Sequence, residues 1–352
     1  MQPEVQAARP VARRAWPVTI FIALAIAGVF YAKWHPYYLK LADVSRAHSL
    51  GASIVLGAHR TAPAVGWNAA VSYWESYFKD IWIALVVGLM VGAGVQTLLP
   101  RRWLLRVLGR VGWGTSSLAV AAAVPSMMCT CCSAPIAVSM KQSRVSTGAV
   151  FGYWLGNPVL NPATIVFMGF VLGWNWAVLR IAVGLALVAG GVYLGQRLGG
   201  DRAPEALRED LEANVEEGAP TVGRYFRVLG RLLVGLLPEY IVIVGLLGAA
   251  RAWLFPAISP AVGHSLLLVV GLAVAGTLFV IPTAGEIPLV QSLMSYGLGL
   301  GGAGALMITL PAISLPSMAM LSQSVSKKLL LELAAWVAVI GLVTAVLAHL
   351  LI

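Results

Sequence analysis

The chain is predicted to be an all-α, polytopic integral membrane protein of two related, inverted repeats with broken or re-entrant helices, plus an extra N-terminal span. Three observations carry this. Apolar residue types make up 59% of the 352 residues and charged types 11%, with a mean hydropathy of +0.84, more apolar surface than a soluble fold can bury. The apolar residues fall into runs of spanning length, and a run that crosses lipid must satisfy its own backbone, which favours helices. Helix breakers stand inside those runs, among 37 glycines and 19 prolines. Broken backbone at membrane depth is tolerated where protein buries it or where it lines a cavity.

The formal charge of +10 has the look of a nucleic-acid signal until the positions are read. Arginines and lysines gather between the apolar runs, which is an orientation pattern, so the bilayer is the expected partner and nucleic acid is not. The expected location is the cell (inner or plasma) membrane, multi-pass, with a cytoplasmic N-terminus. A homo-oligomer is compatible with the sequence, which sets no stoichiometry.

Residues 1–34 read as a tail and a first span. Arg9, Arg13 and Arg14 precede the apolar run Val18 to Tyr31, Trp16 and Trp34 bracket it, and Phe30-Tyr31-Ala32 lacks the small-x-small pattern of a cleavage site. Residues 35–78 read as a mixed polar and aromatic extracytoplasmic insert. Further apolar runs cover about 81–99, 115–140, 146–172, 177–196, 232–254, 263–296, 299–323 and 329–351. Seven acidic residues between Asp201 and Glu217 mark a solvated cytoplasmic linker at 199–225. It separates a first repeat, 79–198, from a second, 226–352.

Sliding one half along the other supports duplication. At an offset of 153, Pro135 falls on Pro288, Gly148 on Gly301, Pro158 on Pro311 and Asn161 on Ser314, with Cys132 opposite Gly285. Gly92 and Pro100 pair with Gly248 and Pro256 at an offset of 156. Charge placement then bears on topology. If 115–140 and 263–296 enter and leave by one face, Arg101 to Arg110, Lys141, Arg144, the linker, Lys327 and Lys328 all fall inside, and the repeats become inverted.

The densest chemistry lies at 124–162. Cys129, Cys131 and Cys132 sit between Pro125 and Pro135, and Asn157-Pro158 and Asn161-Pro162 follow. Adjacent Cys131 and Cys132 can join only in a strained ring, so free thiols or soft-ion ligands are expected rather than a structural bridge. Thiolates prefer soft ions and trivalent arsenic: two sulfurs suit a monoalkyl arsenical, three suit arsenite or a thiophilic metal ion. A four-ligand zinc site is disfavoured, because none of His35, His48, His59, His264 and His349 has ligand spacing. The competing reading makes the cysteines small residues for close helix packing. Asn157 and Asn161 offer amides to a substrate or cap the half-helix that follows, and Ser314 is the counterpart of Asn161.

Ionisable residues inside spans come next. Glu286, in the second break, is the first candidate for a proton-coupling carboxylate, against a purely structural partner for a backbone amide or an arginine. Glu239, after Pro238, is the second candidate. Arg180, near a span end, is expected to snorkel to the surface.

The run Pro-x-x-x-Cys-Thr-Cys-Cys-Ser-Ala-Pro at 125–135, followed by Gly-Asn-Pro-x-x-Asn-Pro at 156–162, resembles the predicted permease family that includes the ArsP-type organoarsenical efflux permeases. The resemblance spans roughly residues 80–350. It implies that Cys129 and Cys131 match the family's Cys-x-Cys pair, Pro135 the following proline and Asn157 to Pro162 the second element, with Cys132 an addition. It also implies efflux of a small thiophilic substrate, trivalent organoarsenicals being the leading example. A sulfur compound, a soft metal ion, or a non-transporting subunit that senses redox or metal state are the alternatives. No phosphate-binding loop, His-Glu-x-x-His, nucleophile elbow or haem attachment sequence occurs. An enzyme is therefore not expected, nor a cofactor, and transport would run on a gradient such as that of protons.

Overall fold

A computed structural model describes residues 12–57, 61–200, 221–256 and 263–352. Most of the expected linker, 201–220, lies outside the described residues. The described chain is helical, with no β-strand among the described residues.

Helix α1 (Ala12–Val29) runs through a five-residue π-helical turn, Phe30–Trp34, into α2 (His35–Ala47). Val18–Ala47 is therefore one apolar span of 30 residues, longer than the stretch expected to end at Trp34. Pro36 does not stop it: it follows directly on the π-helical turn, where the regular i→i−4 ladder is already interrupted. The helix ends where His48 takes a left-handed φ of 49°. Helix α3 (Trp67–Thr97) likewise begins inside the expected insert, and it packs along α10 (Val222–Leu254), the most extensive helix pair of the fold.

Between these long helices lie α4 (Arg101–Leu108), α5 (Trp113–Ala123), α6 (Thr130–Gln142), α7 (Thr147–Val159), α8 (Pro162–Val171) and α9 (Trp174–Leu198). After α10 come α11 (Leu266–Leu278), α12 (Glu286–Ser295), α13 (Leu300–Ala312), α14 (Leu315–Ser322) and α15 (Lys327–Leu351). Among the described residues six helices are long and apolar enough to cross a membrane, and the pair 102–108 and 113–126, bent by 107°, would make a seventh if it is one span. Helices α5, α6, α11 and α12 have 11, 13, 13 and 10 residues. At 1.5 Å per residue none exceeds about 20 Å, short of a hydrocarbon core of about 30 Å. The chain is thus interrupted at 124–129 and again at 279–285.

Element starts recur with the offset seen in the sequence: Trp113 and Leu266, Thr147 and Leu300, Pro162 and Leu315, and Trp174 and Lys327 each lie 153 positions apart. Helices α7 and α13 have 13 residues each, and α9 and α15 have 25 each.

Every residue of α7 is buried, as is α6 from Thr130 to Met140 and α13 from Gly302 to Ala312. The long helices wrap this centre and turn residues such as Val86, Leu185, Leu246 and Val346 outward, where lipid is the solvent. Small residues let the broken helices come close. On α3, a Cβ at Gly88 would strike the carbonyl oxygen of Cys132, and one at Gly92 would stand 2.9 Å from that of Pro135. This Gly-x-x-x-Gly stripe seats α6.

Candidate substrate site at the two helix breaks

The first break starts at Pro125, passes through a 3-10 turn (Val124–Ser126) and reaches Met127, whose φ of 48° is left-handed. Cys129 is extended and stands at the N-cap of α6. A cap and the third helical residue face each other, whereas the second helical residue points about 100° away. The helix therefore divides the three cysteines. The sulfurs of Cys129 and Cys132 lie 2.9 Å apart, while Cys131 turns to the second half, 3.6 Å from the Ser314 hydroxyl. All three are free thiols and buried. The three do not converge, and among the described residues no group of three or more His, Cys, Asp or Glu is placed to hold a metal ion.

Asn157 builds the turn that presents the cysteines. Its Oδ1 accepts from the Ser126 hydroxyl and from the Met128 amide at 3.2 Å, and its Nδ2 donates to the Tyr153 carbonyl at 2.9 Å. With these bonds made, Asn157 shapes the site from behind. Asn161 caps α8, its Oδ1 accepting from Ala163 and Thr164 at 3.0 and 3.2 Å, and its buried Nδ2 has no partner. Ser314 opens α14 in a capping box with Ser317, and its hydroxyl lies 3.4 Å from that of Thr130. The two amides and the serine thus serve helix ends that proline has broken.

The second break, Phe279 to Gly285, carries Ala284 at a φ of 65° and leads into α12 at Glu286. Glu286 is 1% exposed and accepts from Arg180 at 2.7 Å. Arg180 does not snorkel: it is 1% exposed, because its guanidinium has partners inside. Its Nη2 donates to Pro158 O at 2.8 Å, its Nε to Val159 O at 3.1 Å and its Nη1 also to Met307 O at 3.4 Å. Pro158 and Val159 end α7, where carbonyls lack helical partners. One arginine thus joins the broken end of the first half to the carboxylate of the second. Glu286 Oε2 is buried without a partner. Glu239 stands on the exposed face of α10.

A cavity of about 10 Å³, room for roughly one water molecule, lies where the breaks meet. Cys129 and Thr130 line it from the first break, Thr283 and Glu286 from the second, and Pro158, Thr164 and Pro311 from the helix ends. Cys129 and Glu286 are brought together; Cys131, Cys132 and Glu239 are not on this wall, and Cys132 reaches it only through its contact with Cys129.

The sequence reading missed Lys33. It is 4% exposed, lies in the π-helical turn and donates to the Thr283 hydroxyl at 3.0 Å. Next to it, Trp34 Nε1 donates to the Pro125 carbonyl at 2.8 Å, so one turn of the N-terminal span touches both breaks. A signal was present: Lys33 is the only charge in the run from Val18 to Trp34.

The profile of the ArsP_1 family, described as a predicted permease, matches residues 18–154 and 128–350. The first span and the segment after it therefore fall inside the match, beyond the 80–350 read from the motifs. The UPF0718 protein YraQ of Escherichia coli (strain K12) is 44% identical over 348 residues, covering 99% of this chain and 98% of YraQ. No solved structure matches the chain.

Proposed function

The chain belongs to the predicted permease family ArsP_1, and from that premise we propose that it is a proton-coupled exporter of a small thiophilic substrate, trivalent organoarsenicals being the leading example. The observation that carries this reading is the thiol pair Cys129 and Cys132, 2.9 Å apart at a helix break, with Cys129 on the cavity that Glu286 also lines. Two sulfurs at one helix start form a chelate for a soft centre with two exchangeable ligands, as in a monoalkyl arsenical. Close packing alone does not require two thiols to face each other beside a carboxylate.

In this reading Cys129 and Cys132 ligate the cargo, and Cys131 holds the Ser314 contact between the halves. Asn157 and Asn161 fix the helix ends. Coupling falls to Glu286 rather than Glu239. A proton on Glu286 would release Arg180, and with it the carbonyls of Pro158 and Val159, so protonation would loosen the joint between the breaks. The halves act as inverted repeats that rock about this joint, in the inner membrane, with the N-terminus cytoplasmic.

The test is transport by the purified protein in proteoliposomes, with methylarsenite and an imposed proton gradient of either sign. Accumulation that follows the gradient supports the reading. A correctly inserted protein that moves no methylarsenite under either gradient defeats it.

A further inference from the structure

Lys33 poses a question of charge. It is a buried ammonium, 4% exposed, whose partners are the Thr283 hydroxyl at 3.0 Å and the ring of Tyr37, 5.8 Å to its centroid. Among the described residues no carboxylate lies within ion-pair distance of it, and the nearby Glu286 is committed to Arg180. Of these two buried cations Arg180 has its carboxylate in contact, whereas Lys33 has none at ion-pair distance among the described residues, so its charge lacks a contact counter-ion when the thiols are neutral. Such a charge is expensive to bury. Tying the N-terminal span to the second break does not explain it, since a neutral amide or hydroxyl would make the same hydrogen bond to Thr283 without that cost.

The cavity wall adds a second observation. Thr164 Oγ1 is buried and unpartnered, and Thr164 lines the cavity with Thr283. Asn161 Nδ2, at the start of the same helix, is also buried and unpartnered. Hydrogen-bonding groups left open beside a surplus positive charge are what an anionic oxygen needs.

We propose that Lys33 is an anion-binding group of the transport site, and that the cargo class is a thiophilic molecule carrying a negatively charged oxygen group. This rests on the thiol reading above. The soft centre meets Cys129 and Cys132, and the anionic oxygen meets Lys33, Thr283 and Thr164. For a trivalent arsenical each As–S bond forms as an As–OH bond breaks, and the thiol proton leaves with the hydroxide as water. Arsenic stays trivalent and nothing is oxidised. At about 10 Å³ the cavity has room for roughly one water molecule, so the breaks must part to admit cargo. Lys33 and Trp34, bonded to Thr283 and Pro125, place the charge at that opening.

The experiment compares two matched probes, phenylarsenous acid and its 4-carboxy derivative, in equilibrium binding to the full-length protein in lipid nanodiscs. Wild type is expected to bind the carboxylated probe about tenfold more tightly than the neutral one, the worth of one charge-assisted hydrogen bond. That preference should vanish in Lys33→Met and persist in Lys33→Arg. Equal affinities in wild type, or a preference that survives Lys33→Met, overturn the inference. The wild-type ratio decides even if Lys33→Met fails to fold. Cys129→Ser separates the two readings: if it binds both probes as wild type does, the thiol reading falls whatever the charge preference. If wild type binds neither probe, both fall.

Discussion

The break at 124–129 and the break at 279–285 use the same backbone device with different chemistry. Each puts one non-glycine residue in the left-handed region shortly before a helix starts, Met127 at a φ of 48° and Ala284 at 65°. Each feeds a short helix whose first turn is buried and which holds a proline, Pro135 in α6 and Pro288 in α12. The first break then carries thiols and is stitched from behind by Asn157. The second carries a hydroxyl and a carboxylate, Thr283 and Glu286, held by residues from other helices, Lys33 and Arg180. In register, the Ser133 of one half stands where the other has Glu286, and Cys132 where the other has Gly285. Matching frames thus need not carry matching chemistry: one break carries thiols, the other charge, and Cys129 and Glu286 line a single cavity.

The sharpest way to break this comparison is to cut the joint between the breaks. Arg180→Met leaves Glu286 buried without its partner and is expected to cost about 3–5 kcal/mol. The double variant Arg180→Met/Glu286→Gln, which removes both charges, should recover much of that. Thermal unfolding in detergent reads both, and a double variant no more stable than Arg180→Met would mean that the pair is not the joint.

A smaller effect separates the two asparagines. Asn157→Ala strands the Met128 amide inside the protein and takes an acceptor from the Ser126 hydroxyl, a loss of about 2–3 kcal/mol. Asn161→Ala removes a helix cap, worth about 1 kcal/mol. Equal losses would erase the distinction between a residue that builds the cysteine turn and one that ends a helix.

The smallest effect sharpens the backbone parallel. Ala284→Gly should stabilise by about 0.5–1 kcal/mol, since glycine takes a positive φ without steric penalty. Met127→Gly gains the same relief but gives up a side chain that is 2% exposed, worth about 2 kcal/mol, so it should destabilise. Opposite signs in unfolding midpoints are the expected result.

Much of this was legible from residues alone. Prolines and glycines at a fixed offset located both breaks, and the cysteines between Pro125 and Pro135 marked the candidate site, because lipid forbids idle irregular backbone. What the sequence hides is phase and reach. Glu239 and Glu286 are the same residue type in similar apolar surroundings, yet one points outward from α10 and the other into the core. Arg180 reads as a snorkelling residue until the ends of α7 and α12 are seen to converge on it. The motif reads Cys129 and Cys131 as the pair, but a helix turns residues two positions apart to different faces and brings together residues three positions apart, here Cys129 and Cys132. Lys33 was visible as a lone charge, but which side of a long peripheral helix meets the core depends on the π-helical turn that shifts its phase.

The central claim is that Cys129 and Cys132 ligate the cargo as a pair while Cys131 stands apart. Gradient-driven uptake of methylarsenite into everted membrane vesicles, compared among wild type, Cys129→Ser, Cys131→Ser and Cys132→Ser, tests it most directly. The account predicts that uptake is lost in Cys129→Ser and Cys132→Ser and persists in Cys131→Ser. Uptake that survives in both Cys129→Ser and Cys132→Ser would contradict it and leave the thiols as packing residues.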